Sequence, residues 1–300
     1  MPNVYTGQVQ GLSLIAGSTP AAFCREVLGG QLTVDLHNIR KIGIGAQVHA
    51  RKGTNEIRLE WNCVGPSATS LAKWFPTTAG VTVADFPAAS TNFLVDVDDG
   101  TNGQEWVLSG CQPDTVKVSC AEGLDSEVEY AFSIIATTAT LASAGTEVPV
   151  YNSVRGHTVN DVTVSYGSAE YGTLSFDLNN SLGARLYNAM DGKGSGAHSI
   201  ATGALITRQE PTLAVVTTDE FKIGTGTTTV LDEDDHADED ITLAFANGTS
   251  GENITIVCSN MIPENVNMPL EAEGLVGFGH TFGIGSSSAH PTLHSHIAVG

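Results

Sequence analysis

Polar and apolar residues alternate over short stretches of this chain and seldom recur at the three-to-four-residue spacing of a long helix. Ile57, Leu59 and Trp61 alternate with Arg58 and Glu60 across Glu56–Asn62, and Leu174, Phe176 and Leu178 do the same across Thr173–Asn179. A period of two puts every second side chain on one face of a strand. Ile39, Ile42 and Ile44 mark a further half-buried strand in His37–Ile44. Phe93–Val97 and Gln104–Leu108 flank Asp98, Asp99, Gly100, Thr101, Asn102 and Gly103, whose turn chemistry predicts a hairpin. The same construction returns as Ile241–Phe245, the turn Asn247, Gly248, Thr249, Ser250 and Gly251, and Asn253–Val257. Two short amphipathic runs that open on serine, Ser67–Phe75 and Ser181–Met190, predict one short helix each.

The hairpins belong to a longer internal repeat. Gly100-Thr101-Asn102-Gly103 answers Gly248-Thr249-Ser250-Gly251 at an offset of 148, and Trp106, Leu108 and Cys111 answer Ile254, Ile256 and Cys258. Pro113-Asp114-Thr115-Val116 answers Pro263-Glu264-Asn265-Val266 at 150, and Ala121–Leu124 answers Ala272–Leu275 at 151. A closing strand, Glu127–Ile135, answers Val276–Ile284. Upstream, His37–Ile44 aligns with His157–Val164 at 120 and Glu56–Asn62 with Thr173–Asn179 at 117. Arg40-Lys41 becomes Asn160-Asp161 in that alignment, a change of sign at one surface position. The rise in offset implies about 30 extra residues in the second half, around 190–240. Self-similarity of this kind predicts one supersecondary unit written twice. The expectation is a mainly β protein of two tandem β-sandwich or half-barrel domains, each with a short flanking α-helix. Residues 1–30 are a lead-in, 31–136 the first domain, 137–150 a Thr/Ala/Ser-rich linker, 151–285 the second domain and 286–300 a C-terminal tail.

Composition adds charge. Thirty-three acidic against thirteen basic residues give a formal charge of −20, a balance that disfavours binding to a phosphate backbone. Five cysteines form no CxxC pair; Cys63, Cys111, Cys120 and Cys258 sit in apolar runs and read as small buried hydrophobes. No segment carries the ~18 apolar residues of a membrane span, so the reading is a soluble, non-secreted chain from a reducing compartment.

Catalytic and metal signals are weak. No GxSxG, GxxxxGK[ST] or HExxH is present. The run Asp232–Asp240 offers oxygens for a calcium ion but reads as a solvated loop. Asp96, Asp98 and Asp99 resemble the opening of a calcium loop, yet Val107 stands where its bidentate glutamate belongs. His290, His294 and His296 lie among Ser, Ala, Gly and Pro and read as a flexible tail. Trp61, Trp74 and Trp106 occupy buried phases. Paired carboxylates such as Glu127/Glu129 or Asp96/Asp98 would suit a carbohydrate-active enzyme, but alternate residues on a strand are equally a solvent-facing edge. The chain reads as no enzyme, with no cofactor and no metal.

The order strand, strand, short helix, long hairpin, Pro-Asp-x-Val strand, Glu-Gly turn and closing strand resembles the major tail tube proteins of long-tailed bacteriophages and archaeal tailed viruses. More distantly it resembles the tube protein of type VI secretion. The likeness rests on Gly110–Cys120 and Leu270–Leu275 and runs once through about 31–136 and again through 151–285. It implies a β-sandwich flanked by a helix, whose inner strands join between subunits into a barrel around a DNA channel. Most members form hexameric rings from single units, so a duplicated chain would form homotrimeric rings of six units. It implies a virion protein of the tail, made in the host cytoplasm, that contacts itself and other tail proteins, passes double-stranded DNA without specific binding and touches no membrane. The hairpin tips 98–103 and 247–251 are then expected at contacts between subunits, ordered only on assembly. A decoration protein, tail adaptor or surface adhesin shares the same composition.

Overall fold

The computed structural model of the chain describes residues 11–16, 23–43, 46–71, 74–75, 93–98, 103–121, 126–142, 153–167, 169–190, 200–205, 210–219, 239–268, 277–284 and 297–299. The protein is mainly β. The first half contributes β1 (Gly11–Ala16), β2 (Cys24–Gly43), β3 (Ala46–Pro66), β4 (Phe93–Asp98), β5 (Gly103–Ser109), β6 (Gln112–Cys120), β7 (Glu129–Ala136) and β8 (Thr138–Ala142). These strands form two antiparallel layers, ordered β2-β3-β7-β6 and β1-β4-β5-β8. Alternation sets which face is buried: Trp61 of β3 and Val116 of β6 both lie opposite Phe132 of β7, while Glu60 and Lys117 point away. Phe93 of β4 meets Trp61 at 5.6 Å and so brings the second layer onto the first. Phe23 and Trp74 complete the aromatic core, at 4.9 and 4.7 Å from Phe132.

One change of layer falls between β5 and β6, beside another between β7 and β8. Gly110, between β5 and β6, has φ +62°, and a Cβ there would stand 2.2 Å from Thr137 Oγ1. Thr137 is itself the single residue between β7 and β8, and its N–H and hydroxyl both donate to the Ser109 carbonyl, at 3.0 and 2.9 Å. Two neighbouring strands thus cross between layers side by side, which needs a residue without Cβ in the left-handed region.

The second half contributes β9 (Val162–Tyr166), β10 (Ala169–Tyr171), β11 (Thr173–Ser181), β12 (Arg185–Met190), β13 (Ile200–Leu205), β14 (Glu210–Thr217), β15 (Glu239–Phe245), β16 (Ile254–Asn267), β17 (Phe278–Ile284) and β18 (Ile297–Val299). Its pairing order is β11-β14-β17-β16 in one layer and β9-β15-β16-β18 in the other, with β10 outside β9. Phe176–Phe245 at 5.8 Å and Tyr166–Phe282 at 5.9 Å pack the two layers together. Here β16 runs unbroken through both layers, where the first half breaks at Gly110 into β5 and β6. Strand for strand, the two halves have the same pairing order.

That order corrects the upstream half of the repeat. Trp61 faces Phe132 just as Leu213 faces Phe282, so the partner of β3 is β14 and that of Thr173–Asn179 is β2. His37–Gly43 is the far end of β2, whereas His157 leads through a 3-10 turn, Val159–Asp161, into β9, which takes the place of β1. Both strands of a hairpin show the same period of two, so alternation alone cannot say which is which. With the strands matched by partner, no 30-residue excess separates β11 from β15. Strands β1 and β18 also bring parts of 1–30 and 286–300 into the layers.

Neither expected helix forms as drawn. Ser181–Met190 is extended: Gly183 has φ +55°, and Arg185–Met190 pairs with Ile200–Leu205. β11-β12 and β13-β14 therefore make a long interrupted hairpin, the counterpart of β2-β3. The N–H groups of Leu182 and Ala184, which a helix would turn inward, donate to Asp114 instead. Ser67–Phe75 yields one helical turn, α1 (Ala68–Leu71), with Ser67 Oγ accepting from the Ser70 N–H at 3.1 Å. Its value is apolar: Leu71, Trp74 and Phe75 are fully buried. Trp61 is buried as expected, and Trp106 only half-buried.

Candidate assembly interface

Among the described residues one strand ladder joins the two halves. β6 pairs antiparallel with β11, Cys120 opposite Phe176, Val118 opposite Leu178 and Lys117 opposite Asn179, so the two inner layers form one continuous sheet. The apolar pairs are buried, and on the other face Lys117 Nζ lies 2.6 Å from Asp177 Oδ2. Asp114 locks the end of the junction. It sits in a β-bulge of β6, buried, where its carboxylate meets the Arg58 guanidinium and accepts from Ser133 Oγ at 3.4 Å and the Ala184 N–H at 2.9 Å. Its own carbonyl accepts from the Leu182 N–H at 2.7 Å. One residue thus ties β3, β7 and the end of β11. A bulge recurs at Glu264 in β16, on the same Pro-acid-x-Val motif.

The outer strands of the joint sheet are open. Among the described strands β2 pairs only with β3. From Ile262 onward β16 pairs with β17 on one side, and no described strand lies on the other, the side that β11 occupies beside β6. Among the described residues four large apolar side chains are exposed, all at sheet margins: Leu28 (49 % exposed) and Val34 (39 %) on β2, Met268 (42 %) just past β16 and Leu141 (51 %) on β8. An apolar edge strand is a template for another chain. No family model and no curated protein matches this chain. Among the described residues the sheet face turned away from the core carries Glu60, Asn62, Glu129, Asp177 and Asn179 beside Leu28, Ala214 and Val216, and Lys117 and Arg58 on it are paired with Asp177 and Asp114.

The predicted hairpin tips fare unequally. Asp98 pairs with Gly103 at the base of the first; Asp99, Gly100, Thr101 and Asn102 lie outside the described residues. The second is held on its own chain. Asn247 Nδ2 donates to the Arg155 carbonyl at 3.1 Å and to Glu252 Oε2 at 3.0 Å, and Asn247 Oδ1 accepts from the Thr249 N–H at 3.0 Å. Gly248 and Gly251 take φ +78° and +85°, and Thr249 and Ser250 are exposed. This tip is thus tied by hydrogen bonds to its own chain.

The remaining candidates do not converge. Glu127 pairs with Arg25 at 2.6 Å, and Glu129 is exposed at the start of β7. Asp232–Asp238, His290, His294 and His296 lie outside the described residues, and Asp240 is exposed on β15. Among the described residues no three His, Cys, Asp or Glu side chains gather as a metal set, and no helix is long and apolar enough to cross a membrane. Cys63, Cys111, Cys120 and Cys258 are buried and free, as the apolar runs suggest. Burial pushes the Cys111 and Cys258 thiols up to about 12.

A second tie joins the halves at His157. Its carbonyl accepts from the Val128 N–H at 2.8 Å, and its ring is buried against Phe245 at 5.7 Å. Burial lowers its pKa, against the opposing pull of Asp161 and Glu252. A depressed folded pKa means that the unfolded chain binds the proton more readily, so this group's contribution is intact above about pH 6.5 and is lost as the pH falls toward the folded value. Thermal melts between pH 7.5 and 5 should therefore show a midpoint falling on acidification, and the fall should shrink in His157→Gln. An equal fall in both proteins would deny His157 this role.

Proposed function

We propose that this chain is a structural subunit that polymerises through its sheet edges into rings, and that the rings stack into the tail tube of a long-tailed virus. The observation that carries this reading is the β6–β11 junction. Within one chain, the last strand of one four-strand layer already pairs with the first strand of the next, and the same two edges, β16 and β2, remain open at the ends of the series. Repeating one heterologous contact closes a ring where the rotation permits, and closure removes the exposed edges. Three chains supply six units. The sheet face turned away from the core then lines a channel through which DNA slides without adhering, with other tail proteins at the tube's ends and the virion tail as its location.

The test is to place lysine on both edges at positions that are already exposed. Leu28→Lys with Met268→Lys should leave the circular dichroism and melting point of the chain unchanged, because neither side chain is in the core. It should convert ring- or tube-sized particles into monomers by light scattering. Particles of unchanged size would contradict edge-to-edge assembly.

A further inference from the structure

The strands of the β2-β3 hairpin outrun the sheet they belong to. β7 pairs with β3 only over Ile57–Cys63, while β2 and β3 go on pairing with each other from Leu36 opposite Asn55 to Gly43 opposite Ala46. Leu36–Gly43 and Ala46–Asn55 are thus a two-stranded arm, about 26 Å long on β2 at ~3.3 Å per residue. Among the described strands none pairs with its outer edges. The composition of this arm is unlike that of the rest of the chain. Residues 36–55 include Arg40, Lys41, Arg51 and Lys52 and no Asp or Glu. The four cations fall on four consecutive rungs of the ladder, Asn38–Lys52, Ile39–Arg51, Arg40–Ala50 and Lys41–His49. Nine basic residues against 33 acidic remain elsewhere, so an arm of charge +4 stands on a body of −24. A ribbon of this kind does not itself demand the charge: its counterpart in the second half, β12-β13, has Asp191 as well as Arg185 and Lys193 within residues 185–205.

We infer that this basic arm docks on an acidic surface of a second copy of the chain, a contact additional to the sheet edges. The inference rests on the assembly proposed above. A bare two-stranded ribbon is at best marginally stable in water, so the arm gains from being covered. Opposite charge across an interface speeds and orients association, and the acidic body of another copy is the surface that assembly brings alongside. A nucleic acid fits less well, because four cations would release the counterions of about four phosphates while the acidic body is repelled by the rest.

The test combines Arg40→Gln, Lys41→Gln, Arg51→Gln and Lys52→Gln, and compares that variant with a control of equal net charge, Arg185→Gln, Lys193→Gln, Arg208→Gln and Lys222→Gln. Light scattering gives the protein concentration at half-assembly. At ~0.05 M salt the arm variant is expected to need at least about tenfold more protein than the control, and at ~0.5 M the gap should close to about twofold as the charges are screened. Arg40→Lys with Arg51→Lys keeps the charge and should assemble as the wild type does. An arm variant that assembles like the control overturns the arm contact and leaves edge-to-edge polymerisation standing. Wild-type protein that stays monomeric in every condition overturns both. Binding to a labelled DNA duplex that only the arm variant loses, with assembly unchanged, assigns the arm to nucleic acid and overturns the inference. Should circular dichroism show the arm variant unfolded, a benzophenone side chain in place of His49 in the otherwise wild-type chain reads the same contact. Irradiation of assembled particles should then give covalent dimers linked through an acidic peptide, and their absence overturns the arm contact.

Discussion

Phe132→Ala is expected to be the most damaging single truncation in the first half, lowering stability by about 4 kcal/mol. Phe132 is buried on the middle strand of its sheet, with Trp61 across one ladder, Val116 across the other, and Phe23 and Trp74 packed on its ring. Alanine leaves a void that three other aromatic rings must shrink around, and Phe23, Trp61 and Trp74, packed edge-to-face on one another, have little freedom to do so. Urea denaturation should show the lower midpoint with an unchanged slope, while Phe132→Leu should lose about 1 kcal/mol. A loss below about 2 kcal/mol for the alanine variant would mean that this cluster is not the keystone of the core.

Asp114→Ala is expected to cost about 3 kcal/mol. The change removes the partner of Arg58 and the acceptor of the Ser133 hydroxyl and the Ala184 N–H together, and breaking a buried ion pair on one side typically costs ~3–5 kcal/mol. The lower end applies because the Arg58 side chain is 32 % exposed and can turn to water. Asp114→Asn keeps an acceptor for Ala184 and should lose roughly half as much. Near-neutrality of Asp114→Ala would show that the β6–β11 ladder holds without its lock.

These two sites differ in how far the sequence announces them. Trp61 and Leu59 declare their strand by alternation, and the buried cysteines declare themselves by their apolar neighbours. Phe132 sits in Tyr130–Ala136, a run almost continuously apolar, which marks a buried strand but not its central place. The Pro-Asp-Thr-Val motif is visible as a repeat, and the bulge it makes occurs in both halves. That its acid binds a segment 70 residues downstream is a consequence of topology, which no local pattern carries. The same limit explains the misplaced strand partners. Register and neighbour depend on which ladder forms, and β2, β3, β11 and β14 all offer one apolar face to a common core. Ser181–Met190 shows the converse failure: its helical spacing is real, but Gly183 and the demand of Asp114 for two N–H donors favour the extended chain. The edges were legible only as exposed apolar residues whose exposure had to be seen, since Leu28 and Met268 look in sequence like any core positions.

The most direct test of the account is electron microscopy of the purified chain with end-on views classified by symmetry. The account predicts hollow rings or tubes with three-fold symmetry and six similar lobes, each chain supplying two. Rings with six-fold symmetry built of six chains, or particles whose lobes do not come in pairs, would contradict the head-to-tail continuation of the β6–β11 junction on which it stands.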